Sequence, residues 1–331
     1  MKFLKNKTLM ITGGTGSFGQ MCTKLLLKHN VKKVIIYSRD ELKQFEMSIK
    51  FNSPKKLRFF LGDVRDLSRL KMATKKVDII IHTAALKQVP AAEYNPMECI
   101  KTNIQGAENV INASIENNIK KTIALSTDKA ANPVNLYGAT KLCSDKLFIN
   151  ANYLSGDRDI KFSVVRYGNV VGSRGSVLPY FQSLIRKNVK SLPITEEKMT
   201  RFWLTLDYGV GFVLNSINLM VGGELFVPKT PSMKITDLVK ALDKNIKYHV
   251  IGIRPGEKLH EILCPEDSAR DTIEYKDYYL IRPSIDFSRG KTNNYKINKN
   301  NEKGKIVKIN FVYSSDTNSH FLNIKELKKL S

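Results

Sequence analysis

A glycine-rich segment near the start of the chain constrains the fold more than any other feature. Gly13-Gly14-Thr15-Gly16-Ser17-Phe18-Gly19 lies between an apolar run and the beginning of a helical pattern. Glycines allow the tight turn and close backbone approach that a pyrophosphate requires, and the helix N-terminus stabilises its charge. The segment therefore predicts a dinucleotide-binding unit of strand, loop and helix. Its expected cofactor contacts are Gly13, Thr15, Gly16, Ser17, Phe18 and Gly19.

Short apolar runs alternate with longer amphipathic segments through the first half of the chain, as repeated βαβ units require. The runs are Thr8–Thr12, Val34–Ser38, Leu57–Leu61, Asp78–Thr83, Thr122–Ser126 and Phe162–Arg166. This pattern predicts an α/β fold, with a Rossmann-type doubly wound parallel sheet and a smaller C-terminal substrate-binding lobe. A length of 331 residues is sufficient for both parts.

The end of the second apolar run indicates which dinucleotide binds. NAD enzymes usually place an acidic residue here, against the ribose hydroxyls. Arg39 precedes Asp40 at this point, and its guanidinium can hold the additional phosphate of NADP and stack on adenine. An arginine on the surface without this role is the alternative interpretation. The sequence favours NADP, with further contacts expected from Ser38, Asp40, Lys43, Asp63, Val64, Ala84, Tyr137 and Lys141.

The chain is expected to have three parts. Residues 1–168 form the NADP-binding Rossmann domain, to which later segments can return. Residues 169–286 form mainly the substrate-binding lobe, with helices at Val177–Lys187, Tyr208–Met220 and Ile235–Leu242. Residues 287–331 are a C-terminal extension rich in Lys and Asn, which is expected to be partly flexible.

Charge and apolar content exclude several classes of protein. The net charge of +23 could indicate nucleic-acid binding, but the lysines are spread along the chain, so we expect no nucleic-acid partner. We expect no integral membrane segment, since no apolar stretch approaches the length that a spanning helix needs. No signal peptide is evident, the cysteines have no CxxC spacing and the histidines form no metal-binding pair. A cytoplasmic protein without a metal site is predicted.

Two short segments carry candidate catalytic side chains. Tyr137 and Lys141 are four residues apart in a helical pattern and so lie on one face. An ammonium beside a phenol lowers its pKa from about 10, which makes the tyrosine a better base. Thr127, Asp128 and Lys129 follow the fifth apolar run, at the sheet edge where α/β folds bind ligands. Their extra acid and amine suggest a second proton transfer, although Asp128 capping a turn and a solvated Lys129 are the simpler alternative.

On the basis of these residues, the chain resembles the inverting UDP-N-acetylglucosamine 4,6-dehydratases. These are bacterial enzymes that begin pseudaminic acid synthesis for flagellin glycosylation. The resemblance covers nearly the whole chain. It rests on ITGGTGSFG, YSRDELKQ, GDVRDLSRL, AALKQVPAAEYNP, LSTDKAANPVNLYGATK, VRYGNVVGSRGSV, MTRFW and IGIRPGEKLHE. The retaining relatives carry glutamate after the aspartate, whereas this chain has Lys129, as the inverting branch does.

The resemblance implies a mechanism of this extended short-chain dehydrogenase/reductase type. Tyr137, supported by Lys141 and Thr127, would remove the proton of the sugar 4-hydroxyl during oxidation by NADP. A neutral Lys129 would then abstract the proton of carbon 5, and Asp128 would assist loss of the 6-hydroxyl as water. Hydride return to carbon 6 and a proton on the opposite face of carbon 5 give a 4-keto-6-deoxy sugar with inverted carbon 5. Which of Asp128 and Lys129 makes which proton transfer is left open.

The resemblance also implies a set of contacts to a UDP-sugar. They are Lys87, Asn169, Arg174, Thr195, Arg201, Arg254 and Glu257. The arginines are suited to bidentate contacts with the diphosphate. The segment Arg254-Pro255-Gly256-Glu257 has a simpler interpretation as a turn. A homo-oligomer is implied as well, with a hexamer as the expected form.

Two other functions fit part of the same pattern. A nucleotide-sugar 4-epimerase shares the glycine loop and the Tyr137/Lys141 pair, but Asp128 and Lys129 argue against it. A non-catalytic NADP-sensing regulator would be expected to lack the tyrosine or the lysine, and both are present.

Overall fold

The computed structural model describes residues 1–52, 55–173, 175–285 and 295–330. The strands are β1 (Thr8–Thr12), β2 (Lys33–Ser38), β3 (Leu57–Leu61), β4 (Ile79–His82), β5 (Lys121–Thr127), β6 (Lys161–Tyr167), β7 (Asn169–Val170), β8 (Ser191–Ile194), β9 (Thr200–Leu204), β10 (Leu225–Pro228), β11 (Ser232–Lys234), β12 (Lys247–Val250), β13 (Ile262–Cys264), β14 (Thr272–Glu274), β15 (Tyr278–Ile281), β16 (Lys305–Ile306) and β17 (Tyr313–Ser314).

The α-helices are α1 (Ser17–Leu27), α2 (Glu41–Lys50), α3 (Leu67–Ala73), α4 (Val89–Tyr94), α5 (Pro96–Ile100), α6 (Gly106–Glu116), α7 (Leu136–Leu154), α8 (Val177–Arg186), α9 (Leu206–Leu219), α10 (Ile235–Leu242) and α11 (Ile324–Leu330). A π-helical turn at Lys101–Gln105 joins α5 to α6.

A large twisted sheet organises the molecule, with the strand order β16-β14-β15-β10-β6-β5-β4-β1-β2-β3. The strands from β10 to β3 pair in parallel. The central order 3-2-1-4-5-6 is that of a doubly wound Rossmann sheet, so the predicted fold class is confirmed. The six predicted apolar runs form β1 to β6, each within one residue at either end.

The second half of the chain returns to this sheet to a greater extent than its weak periodicity indicates. β10 extends the parallel sheet, and β15, β14 and β16 add an antiparallel edge. Helix α9 packs in the same buried cluster as Leu9 and Ile11 of β1. The assignment of Tyr208–Met220 to the substrate lobe was therefore wrong. Helical periodicity identifies a buried face, but it does not identify the surface against which that face packs.

A smaller lobe lies on the carboxyl edge of the large sheet. Its core contains Phe181 of α8, Trp203 of β9, Leu238 of α10 and Leu327 of α11. The predicted helices at Val177–Lys187 and Ile235–Leu242 correspond to α8 and α10.

The described part of the C-terminal extension, residues 295–330, joins the fold through two strands and a helix. β16 pairs with β14, β17 pairs with β13, and α11 packs on α10. Residues 287–294 of the predicted extension lie outside the described residues. In the part of the chain that the structure describes, no helix has both the length and the apolar character needed to cross a membrane.

Candidate active site

A cavity of about 1320 Å³ lies where the parallel strands end and the smaller lobe begins. All predicted site residues that the structure describes line this cavity, whereas Arg174 lies outside the described residues. On the sheet side they are Gly13, Thr15, Gly16, Ser17, Phe18, Gly19, Ser38, Arg39, Asp40, Lys43, Asp63, Val64, Ala84, Thr127, Asp128, Lys129, Tyr137 and Lys141. On the lobe side and in the adjoining loops they are Lys87, Asn169, Thr195, Arg201, Arg254 and Glu257.

The glycine loop is shaped for a pyrophosphate. Gly13 has a φ of +66°, and a Cβ there would lie 2.9 Å from the backbone of Ala84. A Cβ on Gly19 would lie 2.3 Å from the carbonyl oxygen of Gly14, so the start of α1 approaches the loop closely. Gly16, the N-cap of α1, provides no side-chain cap to the helix. These features fit a bound dinucleotide, whose phosphates accept hydrogen bonds from helix N-terminal amides.

The neighbouring charged residues Arg39 and Asp40, at the end of β2, have different partners. The carboxylate of Asp40 caps α2 by accepting from the backbone N–H of Lys43 at 3.0 Å, and it also pairs with the Lys43 ammonium. The hydrogen bonds from Lys43 hold the pKa of Asp40 below its usual range. Arg39 is 56% exposed and lies 3.6 Å from Asp63, so its guanidinium remains accessible at the cavity rim. Asp40 is therefore engaged within α2, whereas Arg39 faces the cavity rim.

Tyr137 and Lys141 lie in the first turns of α7, where both are buried. Asn135 fixes the start of that helix by accepting from the backbone N–H of Gly138 at 2.8 Å. Burial raises the pKa of Tyr137 to about 12, while the charge of Lys129 and a hydrogen bond with Thr127 oppose that rise. The prediction that Lys141 gives the phenol a lowered pKa was therefore wrong for this structure, because desolvation is the larger effect. Burial also lowers the pKa of Lys141, against the influence of Asp145.

Lys129 lies between two buried carboxylates. Its Nζ is 3.1 Å from Oδ1 of Asp128 and 3.2 Å from Oε1 of Glu261, and those residues are 1% and 2% exposed. Burial alone would lower the pKa of Lys129, but Asp128 and Glu261 together raise it above its usual range. The expectation of a neutral Lys129 was therefore wrong for this structure. The alternative of a turn-capping Asp128 and a solvated Lys129 was wrong as well, because Asp128 is buried and paired.

Glu261 is a site residue that the sequence reasoning missed. Burial and the nearby Asp128 raise its pKa, against the influence of Lys129 and Arg201. The available signal was its position as the last residue of the segment IGIRPGEKLHE, seven residues after Arg254. A glutamate next to the apolar pair that begins β13 could have been read as a buried charge in need of a cation.

Several buried acceptors on the cavity wall lack a protein hydrogen-bond partner among the described residues. They are Oδ2 of Asp128, Oδ1 of Asn169, Oε2 of Glu257 and Oε2 of Glu261. Buried acceptors require donors, because leaving them unpaired costs free energy. A ligand rich in hydroxyl and amide N–H groups, such as an N-acetylated sugar, supplies donors of this kind.

The two candidate diphosphate arginines that the structure describes differ in what they can offer a ligand. Arg201 is buried and donates to the carbonyl oxygens of Thr200, Lys258 and Leu259 at 2.7, 3.0 and 3.1 Å. This arrangement does not fit the bidentate phosphate contact predicted for Arg201, and it fits a role in holding the adjoining loop. Arg254 remains largely exposed and pairs with Glu257.

Lys87, Thr195 and Glu257 are further predicted substrate contacts that line the cavity. The segment Arg254–Glu257 forms a turn at the cavity, with Gly256 at a φ of +76°. Burial and the charge of Lys129 lower the pKa of Lys87. The hydroxyl of Thr195 donates to Sδ of Met199 at 3.1 Å.

Comparison with known proteins identifies the family. The family described as polysaccharide biosynthesis protein matches residues 9–283, which is most of the chain. This chain belongs to the polysaccharide biosynthesis protein family. The family match ends before the described tail, so residues 295–330 lie beyond the part that it covers.

Individual relatives and a solved structure resemble the chain over most of its length. A relative from Campylobacter jejuni serotype O:2, named UDP-N-acetylglucosamine 4,6-dehydratase (inverting), is 59% identical over 98% of this chain and 97% of its own. A relative from Rickettsia bellii, named UDP-glucose 4-epimerase, is 45% identical over 83% of each chain. The X-ray structure of Pen from Bacillus thuringiensis has a TM-score of 0.88 at 34% identity, covering 99% of this chain and 98% of that one. The predicted resemblance to the inverting dehydratases is confirmed.

Helix α7 approaches the backbone of Lys129 closely at Gly138. A Cβ at Gly138 would lie 2.1 Å from the carbonyl oxygen of Lys129. We expect Gly138→Ala to lower the free energy of unfolding by about 1–3 kcal/mol, as overpacking does, and to displace Lys129. Gly211→Ala in α9 is the matched control, since nothing lies within 4 Å of its added Cβ and alanine favours helix. Denaturant unfolding of both variants measures the difference, and equal stability would contradict the close approach.

Proposed function

We propose that this chain is a hydro-lyase that uses NADP to convert UDP-N-acetylglucosamine to UDP-2-acetamido-2,6-dideoxy-β-L-arabino-hexos-4-ulose, with inversion at carbon 5. The observation that carries this proposal is the buried cluster of Asp128, Lys129 and Glu261, in the same cavity as Tyr137 and Lys141. A phenol and its lysine suffice for oxidising a hydroxyl, whereas dehydration needs further acids and bases. The high identity to the C. jejuni dehydratase supports the same reaction.

The residues around the glycine loop are suited to hold the dinucleotide. The loop and the N-terminus of α1 would bind the pyrophosphate, and Arg39 would bind the additional phosphate that distinguishes NADP from NAD. When bound, NADP supplies a hydride acceptor for carbon 4, a hydride donor for carbon 6 and, in its oxidised form, a positive charge.

The contribution of Arg39 can be measured by binding alone. We expect Arg39→Ala to weaken NADP binding by about 10- to 100-fold, because one or two charge-assisted hydrogen bonds to a phosphate are lost. Binding of NAD should change by less than about threefold, since NAD lacks that phosphate. Isothermal titration calorimetry with both dinucleotides checks this, with Arg58→Ala on β3 as the control arginine. Equal losses for NADP and NAD would contradict the assignment.

In the proposed first step, Tyr137 accepts the proton of the sugar 4-hydroxyl. Thr127 supports the phenolate by hydrogen bonding and the charge of Lys129 stabilises it, and the resemblance adds Lys141 as a further support. Because burial disfavours the phenolate, these cations are needed for Tyr137 to lose its proton and act as a base.

The proposed second step removes the proton of carbon 5 and expels the 6-hydroxyl as water. The resemblance assigns the base to Lys129 and the acid to Asp128. Since its two carboxylate partners favour the ammonium, Lys129 must lose a proton before it can act as a base. The Oδ1 atom of Asp128 is occupied by Thr127 and Lys129, whereas its Oδ2 atom has no protein partner among the described residues.

The lobe side of the cavity would hold the UDP-sugar. Asn169 and Glu257 offer buried acceptors to the sugar or its N-acetyl group, and Thr195 is a further contact. Lys87 and the exposed Arg254 offer positive charge to the diphosphate. Arg201 would act mainly by holding the loop that carries Glu257 and Glu261.

A nucleotide-sugar 4-epimerase is the second candidate, favoured by the 45% identity to the R. bellii relative. Incubation with UDP-N-acetylglucosamine and no added reductant separates the two functions by mass spectrometry. The proposal expects a product lighter by one water. A product of unchanged mass would favour the epimerase. An NADP-sensing regulator would bind the dinucleotide without any turnover.

The proposed biological setting follows from the resemblance. It comprises pseudaminic acid synthesis for flagellin glycosylation, in the cytoplasm, by a homo-oligomer with a hexamer as the expected form. Sedimentation of the purified protein tests the oligomer, and loss of the glycan on deletion of the gene tests the pathway.

A further inference from the structure

Glu261 carries a buried carboxyl group for which the proposed mechanism has no use so far. We propose that Glu261 accepts a proton from Lys129 and so frees the lysine amine to act as the base at carbon 5. This inference rests on the proposed function. Glu261 acts through Lys129 and is therefore a positioning residue.

The geometry suits a direct transfer. Nζ of Lys129 donates to Oε1 of Glu261 at 3.2 Å, without an intervening group. The second oxygen, Oε2, is buried and has no protein partner among the described residues. Glu261 lines the cavity together with Lys129 and Tyr137, so the transfer takes place beside the reacting sugar.

The charges that face Glu261 come from several parts of the chain. Lys129, Arg201 and Lys258 favour its carboxylate, while Asp128 and burial favour its protonated form, and the net effect is a raised pKa. Arg201 approaches Oε1 at 3.7 Å, so the carboxylate retains a cation after Lys129 becomes neutral. A carboxyl group whose pKa lies above its usual range accepts a proton from an ammonium at a lower free-energy cost.

The C-terminal extension holds Glu261 in this position. The backbone N–H of Glu261 donates to Oγ of Ser315 at 2.9 Å, and the N–H of Ser315 donates to the carbonyl oxygen of Glu261 at 2.8 Å. Oγ of Ser315 also lies 2.7 Å from Oγ1 of Thr200, the neighbour of Arg201. The tail, which lies beyond the family match, therefore holds a residue of the cavity wall in place.

The proton balance closes over the second step. An N–H bond of Lys129 breaks and an O–H bond forms on Glu261, which leaves an amine and a carboxylic acid. The amine takes the carbon 5 proton to become an ammonium, and the electron pair of the C–H bond passes into the enolate of the 4-ketone. As the enolate expels the 6-hydroxyl, Lys129 gives a proton to Asp128, which protonates the departing oxygen, and Glu261 returns its proton to Lys129. Water leaves, and Lys129 and Glu261 regain their starting charges.

The test compares full-length Glu261→Gln and Glu261→Asp with the unmodified enzyme, using UDP-N-acetylglucosamine in heavy water. Two readouts are followed under single-turnover conditions: the 4-keto sugar, trapped with borodeuteride, and deuterium entering at carbon 5. We expect Glu261→Gln to form the 4-ketone at a rate within about fivefold of normal and to lose at least about 100-fold in carbon 5 exchange. Exposed Glu266→Gln is the matched control, expected to match the unmodified enzyme in both readouts.

A purely electrostatic role of Glu261 would give the opposite result. If Glu261 only holds the charge of Lys129, its removal lowers the pKa of Lys129, and exchange at carbon 5 should stay the same or become faster. That result would overturn the proposal. The rate of deuterium exchange at carbon 5 should rise with pH as Glu261 loses its proton. In Glu261→Asp, this rising limb of the pH–rate profile should shift to a different pH. Should Glu261→Gln fail to fold, an unmoved limb in Glu261→Asp would overturn the proposal. Absence of dehydration by the unmodified enzyme would instead reject the proposed function, and the inference with it.

Discussion

Lys129→Ala is expected to lower the rate of dehydration by about 10²- to 10⁴-fold, because it removes the amine proposed to exchange protons with carbon 5. The first oxidation should continue at a reduced rate, since Lys129 also lowers the pKa of Tyr137. Trapping of the 4-keto sugar and deuterium exchange at carbon 5 measure the two steps separately. Lys146→Ala, an exposed lysine on α7, is the control. Full turnover by Lys129→Ala would contradict the role of this residue.

The stability of Lys129→Ala is expected to depend on pH. Without the ammonium, the buried Glu261 loses its nearest cation and keeps Arg201 at 3.7 Å, which raises its pKa further in the folded state. An acid with a folded pKa above its unfolded value stabilises the fold at low pH and loses that contribution as pH rises. We therefore expect Lys129→Ala to lose about 3 kcal/mol of unfolding free energy at neutral pH and less near pH 5. Urea unfolding at both pH values checks this.

Tyr137→Phe is expected to lower the rate of the first oxidation by about 10²- to 10⁴-fold, because phenylalanine preserves the ring but cannot accept the 4-hydroxyl proton. We expect almost no trapped 4-ketone. Deuterium exchange at carbon 5 should be equally slow, since the second step depends on the ketone. This distinguishes the variant from Lys129→Ala, which retains the ketone. Tyr153→Phe, near the other end of α7, is the control. Carbon 5 exchange without 4-ketone formation would contradict the proposed order.

The parts of the site that the sequence could predict are those determined by local structure. The glycine loop combines a required φ at Gly13 with a strand and a helix on either side, so a short segment specifies its shape. Tyr137 and Lys141 share a face because they belong to one helix. Asp128 and Lys129 could be placed because they directly follow a strand whose end faces the cavity.

The rest depends on contacts between distant segments. Glu261 is 132 residues from Lys129 along the chain, and only the fold brings them together. The same long-range pairing explains why a neutral Lys129 was predicted, since its two anionic partners could not both be foreseen. Burial of Tyr137 arises from tertiary packing as well, so its raised pKa could not be predicted from the residues near it in the chain.

The central claim is that this chain dehydrates UDP-N-acetylglucosamine and inverts carbon 5. The most direct measurement is proton NMR of the purified protein with UDP-N-acetylglucosamine in heavy water, without added reductant. The expected result is loss of one water, one deuterium at carbon 5 and the L-arabino configuration of the 4-keto product. A product with retained configuration at carbon 5, or a galacto-configured sugar of unchanged mass, would contradict it.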